Sequence, residues 1–403
     1  MQLVLKNIKQ LVTVAGNGKQ WKSGADMREV GVLEHATVLI EDGTIRWVGA
    51  DQHFNANLHE DAHILDASEL VALPGFVDAH THLVFAGSRE NEFAMRAEGK
   101  TYQQIAEQGG GILSTVTATR AATKKDLKRL ASRRLDAMLQ HGTTTVEIKS
   151  GYGLEPDAEI KMMEAINELG KEHFMTVVPT FLGAHAIPPE YKSNPDTYVE
   201  LVCERMLPYI AKRNMARFCD VFCETGYFSV AQSNTILAKA HSLGIELKVH
   251  ADELAPSGGS KLAGELRAVS ADHLEHIDDA GIQSLLSGGV VGVLLPGVSF
   301  FLNHQYAPAR KLIDAGVPVA ISTDFNPGSC MSFSMPMMMT LACTQMKMTP
   351  EEAITACTLN GAAALKMLDT VGSVEVGKQA DIVLYDIPNY QYLAYHFGAN
   401  HVK

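Results

Sequence analysis

Along roughly the first seventy residues, apolar and polar positions alternate in short runs, Leu3-Val-Leu, Leu11-Val-Thr-Val, Thr37-Val-Leu-Ile and Ile45-Arg-Trp-Val. Gly16-Asn-Gly and Glu41-Asp-Gly-Thr interrupt them, and period-two alternation broken by turn residues predicts the strands of a small β domain. The stretch from Gly372 to Tyr385 carries the same pattern, so both chain ends are expected to meet in one sheet. Between them the pattern becomes strand-then-helix. Eight apolar runs, 76–84, 144–149, 176–182, 218–223, 246–251, 268–273, 289–295 and 318–323, are mostly separated by helical stretches such as the one from Lys124 to Leu135. Eight β/α units in about 250 residues predict an α/β fold: a (β/α)8 TIM-like barrel with a small β-sandwich domain formed by both chain ends. The expected boundaries are 71–368 for the barrel and 1–70 with 369–403 for the small domain. A doubly wound open sheet is the competing architecture, but no G-x-G-x-x-G follows the first strand and no P-loop occurs.

Composition narrows the class of function. With 403 residues and 46% hydrophobic content, the chain can bury a large core. A formal charge of −12 argues against nucleic acid or an acidic membrane as a partner. An anionic substrate would need a local cationic anchor. Cys203, Cys219, Cys223, Cys330, Cys343 and Cys357 lie in or beside apolar segments without C-x-x-C spacing, so reduced thiols in the cytoplasm are expected. The alternating N-terminus reads as a strand rather than an export signal, and Pro296 and Gly297 break the longest apolar run, Val290 to Leu302.

A barrel places chemistry at the C-terminal ends of its strands. The first strand candidate carries His80 and His82, which strand alternation sends to one side about 7 Å apart, with Asp78 in phase to orient a ligand. The fifth ends in His250-Ala-Asp-Glu253, the sixth in His273 and the eighth in Asp324-Phe-Asn326. Any one histidine alone is better read as a packed core residue. Four histidines and a carboxylate at the ends of barrel strands point instead to a metal.

These residues resemble the amidohydrolase superfamily, marked by H-x-H on the first strand, His on the fifth and sixth and Asp on the eighth. The blocks from Gly75 to Glu90, Glu147 to Gly153, Thr180 to Ala186, Val249 to Glu253 and Ser322 to Ser329 extend the likeness over essentially the whole chain. They are similar to the branch that hydrolyses the ring amide of 4-imidazolone-5-propanoate to N-formimidoyl-L-glutamate in histidine degradation. The resemblance implies one divalent metal, zinc or iron, on His80, His82, His250 and Asp324, and a water that it activates. It implies catalytic roles for Asp324 as proton acceptor, His273 as stabiliser of the carbonyl oxygen and Glu253 as proton shuttle. It further implies substrate contacts from Arg89, Tyr152, His185, Glu253, Asn326, Gly328 and Ser329, with Arg89 reading the carboxylate of an anionic imidazolone. A homodimer is also implied. Tyr102 and Gly109-Gly-Gly111 suggest a lid, although packing is the better reading of Tyr102. Some superfamily members bridge two metals through a lysine on the fourth strand, but Phe218 to Glu224 contains none and Lys149 ends the second strand. One metal is therefore expected, with Cys223 or Glu224 as the residual candidates for holding a second. A deaminase acting on a purine or pyrimidine ring is the rival reading.

Overall fold

The computed structural model describes residues 1–59, 61–100, 104 and 110–403, so Tyr102 and Gly109 lie outside the described residues. Among the described residues, strands from both chain ends meet in one six-stranded sheet. It comprises β1 (Gln2–Val12), β2 (Val32–Glu41), β3 (Thr44–Ala50), β4 (His63–Asp66), β5 (Val71–Pro74) and, from the far end of the chain, β14 (Ile382–Tyr385). Its alternate positions Ile8, Val38 and Ile45 bury a small core of their own, as the alternation requires. Gly75 is the pivot: β5 leaves the sheet there, and the Gly75 N–H donates to Asp381 O at 2.8 Å.

The second sheet has eight parallel strands: β6 (Phe76–Asp78), β7 (Thr143–Lys149), β8 (Thr176–Ala184), β9 (Phe218–Cys223), β10 (Glu246–Ala251), β11 (Ser270–His273), β12 (Val291–Leu294) and β13 (Val319–Ile321). Each pairs with its neighbour in chain order, and β6 and β13 are the terminal strands of that order. Beyond their ends the chain closes the ring: the Asp324 N–H donates to His80 O at 3.0 Å, the His82 N–H to Phe325 O at 3.0 Å, and Thr81 bridges Phe325 in parallel. The first strand thus differs from the 76–84 run read from sequence. Its regular ladder stops at Asp78 because the backbone of 80–82 splits its hydrogen bonds between the seam and Lys149, whose N–H donates to Thr81 O at 2.9 Å.

The intervening helices follow from ordinary signals. Lys124–Gln140 buries Leu127, Ala131, Leu135 and Met138 on one stripe and is capped by Thr123, while Ser229 and Thr349 form capping boxes before Val230–Ser242 and Pro350–Cys357. Met335, Met338 and Met339 of the methionine-rich run are buried in the main core. All six cysteines are free, and none of the described helices is long and apolar enough to cross a membrane.

Asp78 departs from the role expected of it. Its carboxylate accepts from the Thr323 N–H at 3.1 Å and the Thr323 hydroxyl at 2.6 Å, stitching the first strand to the eighth instead of orienting a histidine ring. Asp78→Ala would leave both donors buried without an acceptor, a loss of about 1–3 kcal/mol. Urea denaturation should show a drop of that size for Asp78→Ala and a smaller one for Asp78→Asn, which keeps an acceptor. An unchanged midpoint in both would show that the stitch contributes nothing.

Candidate metal and active site

His80 and His82 leave the first strand, His250 lies on β10 and Asp324 follows β13, so the barrel brings all four to one end of its axis. All four are buried. Asp324 Oδ1 lies 3.4 Å from both His80 Nε2 and His82 Nε2, and His82 Nε2 lies 3.4 Å from His250 Nε2. The nitrogens of the three histidines fall within 4.8 Å of one another. His80 Nε2 and Asp324 Oδ1, both buried, have no hydrogen-bond partner among the described residues. Buried lone pairs converging on one point fit a divalent cation, and the three-imidazole, one-carboxylate donor set suits such an ion.

The outer nitrogens are fixed from below. His80 Nδ1 donates to Asp272 Oδ2 at 2.6 Å, which leaves Nε2 for the ion. His250 Nδ1 lies 2.9 Å from Asp220 Oδ2, near enough for a strong charge contact though not aligned as a hydrogen bond. Asp272 and Asp220 thus take the orienting part that the sequence reading gave to Asp78. A signal for them existed, since both are charged residues inside otherwise apolar strands. A second ligand cluster, His80, Glu147 and Asp272, overlaps the first, but the ammonium groups of Lys149 and Lys248 already lie 2.8–3.8 Å from its carboxylates. Glu224 spends its oxygens on the N–H groups of Thr225 and Leu254, and neither it nor Cys223 joins a ligand cluster among the described residues.

Above the ligands opens a cavity of about 510 Å³. Of the site residues read from the sequence, all but His80 line it: His82, Arg89, Tyr152, His185, His250, Glu253, His273, Asp324, Asn326, Gly328 and Ser329. Asp324, His273 and Asp252 each hold a left-handed backbone, φ 49°, 81° and 52°. Burial disfavours a charged His273, but Glu253 at 3.6 Å and Glu275 at 3.8 Å outweigh it and raise the imidazole to about 10. Burial pushes the Glu253 carboxyl up to about 7, with His273 opposing and Glu275 and Asp324 adding. Asp324 behaves oppositely: burial would raise it, yet His80 and His82 hold it well below the usual carboxylate range. A base, an acid and a cationic donor share one wall.

His185 stacks on His82 with ring centres 4.8 Å apart, and burial, reinforced by His82, lowers it to about 3. Its Nδ1 donates to Gly151 O at 3.1 Å, so Nε2 is the acceptor end of a neutral ring. Gly151, at φ 108°, is needed there, because a Cβ would come within 2.9 Å of Leu182 O and 3.0 Å of His185. Asn326 donates to Asp324 Oδ2 at 2.8 Å and accepts from the N–H groups of Gly328 and Ser329, while the Ser329 hydroxyl donates to Asp324 Oδ2 at 3.2 Å. The loop therefore aims Asp324 while it lines the cavity. Arg89 is not a free fork, since its Nε and Nη2 are paired with Glu92 at 2.9 and 2.7 Å. A Cβ on Gly328 would lie 2.2 Å from Arg89 Nη1, so the absent side chain makes room for the guanidinium. Glu92 was not singled out in the sequence, where the only sign was its i+3 spacing from Arg89 in the helix Glu90–Ala97.

Fold and site together define a metal-dependent hydrolase of the amidohydrolase class, and the Amidohydrolase family matches residues 71–402. The chain is 50% identical over 403 residues to the imidazolonepropionase of Shouchella clausii, covering 99% of this chain and 90% of that one. It is 49% identical over 400 residues to the imidazolonepropionase of Alkaliphilus oremlandii, covering 99% and 94%. A triazine hydrolase variant of known crystal structure superposes with a TM-score of 0.77 at 17% identity, covering 100% of this chain and 92% of that one, a likeness of fold. The chain belongs to the amidohydrolase family, in the group of the imidazolonepropionases.

One filled ligand cluster and one converging set of orphaned atoms give a definite stoichiometry. Metal analysis of purified, active protein should find about one divalent ion per chain. Two tightly held ions per chain would contradict the reading of the lower cluster as filled by ammonium groups.

Proposed function

We propose that the protein hydrolyses the ring amide of 4-imidazolone-5-propanoate to N-formimidoyl-L-glutamate, a step of histidine degradation, in the cytoplasm and as a homodimer. The observation that carries this reading is one cavity holding the ligand cluster at its floor, acid and base groups on its wall and a cation, Arg89, at its rim. Zinc or iron is the proposed ion, since a set of three imidazoles and a carboxylate accepts several first-row metals.

His80, His82, His250 and Asp324 would hold a divalent ion, which would supply a Lewis acid lowering the pKa of water toward neutrality. Asp324, held as an anion, accepts that proton. His273 donates to the carbonyl oxygen as it gains negative charge, a stabilisation that is strongest in a water-poor cavity. The water oxygen, having given its proton to Asp324, bonds to the carbonyl carbon; the ring C–N bond then breaks as the carbonyl re-forms, and Asp324 returns the proton to the leaving nitrogen, which completes the amidine of the product. Glu253, near 7, can accept the ring N–H or relay a proton. Arg89 lines the same cavity and spends Nε and Nη2 on Glu92, which leaves Nη1 as the atom for the propionate.

Asp324→Asn, reloaded with metal, is expected to lose nearly all turnover, because an amide cannot take the proton; ultraviolet monitoring of imidazolonepropanoate loss checks it. Wild-type turnover in the loaded variant would remove Asp324 from that role.

Arg89→Ala removes a charge-assisted contact of about 1.5–3 kcal/mol, which lowers kcat/KM by roughly ten- to two-hundredfold. It also strips Glu92 of its guanidinium partner, leaving only donors such as the Gly111 N–H at 2.9 Å, and sets a carboxylate near the substrate's own. The double variant Arg89→Ala/Glu92→Gln should therefore recover part of the loss. An imidazolone lacking the propionate should feel little of either change. Equal losses on both substrates would mean that Arg89 supports the loop and does not read the acid, and preferential turnover of an aminated ring would favour a deaminase.

A further inference from the structure

Below the ligand cluster the barrel axis is ionic where an apolar plug would be expected. Glu147, Lys149, Asp220, Lys248 and Asp272 are all fully buried. Lys149 Nζ lies 2.8 Å from Asp220 Oδ2, 2.8 Å from Glu147 Oε2 and 3.5 Å from Asp272 Oδ2. Lys248 Nζ lies 3.0 Å from Glu147 Oε2 and 3.8 Å from Asp272 Oδ2, and donates to Ala79 O at 2.8 Å, immediately before His80. Charges this deep are costly to bury, and replacing them with packed hydrocarbon is often stabilising. Stability is therefore a poor reason for them to be here.

The geometry gives a better one. Three carboxylates face two ammonium groups, and two of those carboxylates, Asp272 and Asp220, are the groups beside the outer nitrogens of His80 and His250. Without a fixed cation, two fully buried aspartates would repel one another or turn away from the rings. Each lysine sits between carboxylates and meets the same oxygen as the imidazole does, Oδ2 of Asp220 for His250 and Oδ2 of Asp272 for His80, so it fixes where that oxygen lies beneath each ring. Ser270 completes the hold on Asp272, its hydroxyl donating to Oδ1 at 2.6 Å.

We propose that Lys149 and Lys248 are positioning residues of the metal site, acting through Asp220 and Asp272 to aim the Nε2 atoms of His250 and His80 at the ion. Neither lysine touches metal or substrate. The proposal rests on the metal reading of the four ligands and is independent of which ring the enzyme opens.

The test uses the full chain and inorganic ions. Zinc affinity is measured by competition with a chromophoric chelator, and ligand geometry by the visible absorption of the cobalt(II)-loaded protein. Thermal unfolding of the metal-stripped form serves as the structural control. Lys149→Met should weaken zinc binding by roughly ten- to a hundredfold and alter the cobalt bands. Because Lys149 acts through Asp220, Lys149→Met/Asp220→Asn should bind zinc no more weakly than the worse of its two single variants. Wild-type zinc affinity and wild-type cobalt bands in Lys149→Met, even with a lowered melting temperature, would overturn the proposal, as would losses in the double variant that simply multiply. Should Lys149→Met fail to fold, Lys248→Met puts the same question through Asp272. A wild-type chain that binds no divalent ion would overturn the metal reading itself, an outcome distinct from unaltered lysine variants.

Discussion

The molecule is built around the burial of polar atoms that have no hydrogen-bond partner among the described residues. His80 Nε2 and Asp324 Oδ1 converge while buried, an arrangement that is unfavourable for any chain folded around itself alone. A divalent cation removes that conflict. The rest of the barrel can be read as its support: Asp272 and Asp220 behind the rings, Lys149 and Lys248 behind the aspartates, and the Asn326 to Ser329 loop behind Asp324. The hydrogen bonds of that support run outward in shells, each group fixed by one slightly farther from the ion.

The wall above the ion works by contrast of environment. Two carboxylates, Glu253 and Asp324, line the same cavity, yet burial raises one and histidine contacts lower the other. Two histidines diverge in the same way, His273 pressed upward by Glu253 and Glu275 and His185 pressed downward by burial beside His82. A short list of residue types thereby supplies a proton acceptor, a proton donor and a neutral contact at one pH.

Much of this was legible in the sequence, for definite reasons. Strand periodicity and the punctuation between runs gave the barrel and its closing order, and placing His80, His82, His250, His273 and Asp324 at strand ends required only the rule that barrel chemistry lies there. What stayed hidden were pairings across the barrel. His80 and Asp272 are 192 positions apart, and nothing in local spacing says that they touch. Asp78, in phase with the two histidines, looked like the orienting group because alternation describes faces and not partners; its actual bond to Thr323 exists only once the ring closes. Arg89 was visible as a cation near the site, but its capture by Glu92 depends on where the helix Glu90–Ala97 starts, a boundary that periodicity leaves loose.

The seam between the first and eighth strands has a consequence for the order in which the molecule is made. Asp324 is joined to His80 across that seam, and they are the last and first ligands in the chain. A ribosome that has released everything through β10 has delivered three imidazoles and no carboxylate. The fourth ligand and the bond that shuts the ring arrive in the same few residues, so a nascent chain cannot complete the ion's coordination before its barrel can close. An ion held by all four would act as a staple between two ends of the barrel laid down far apart in time.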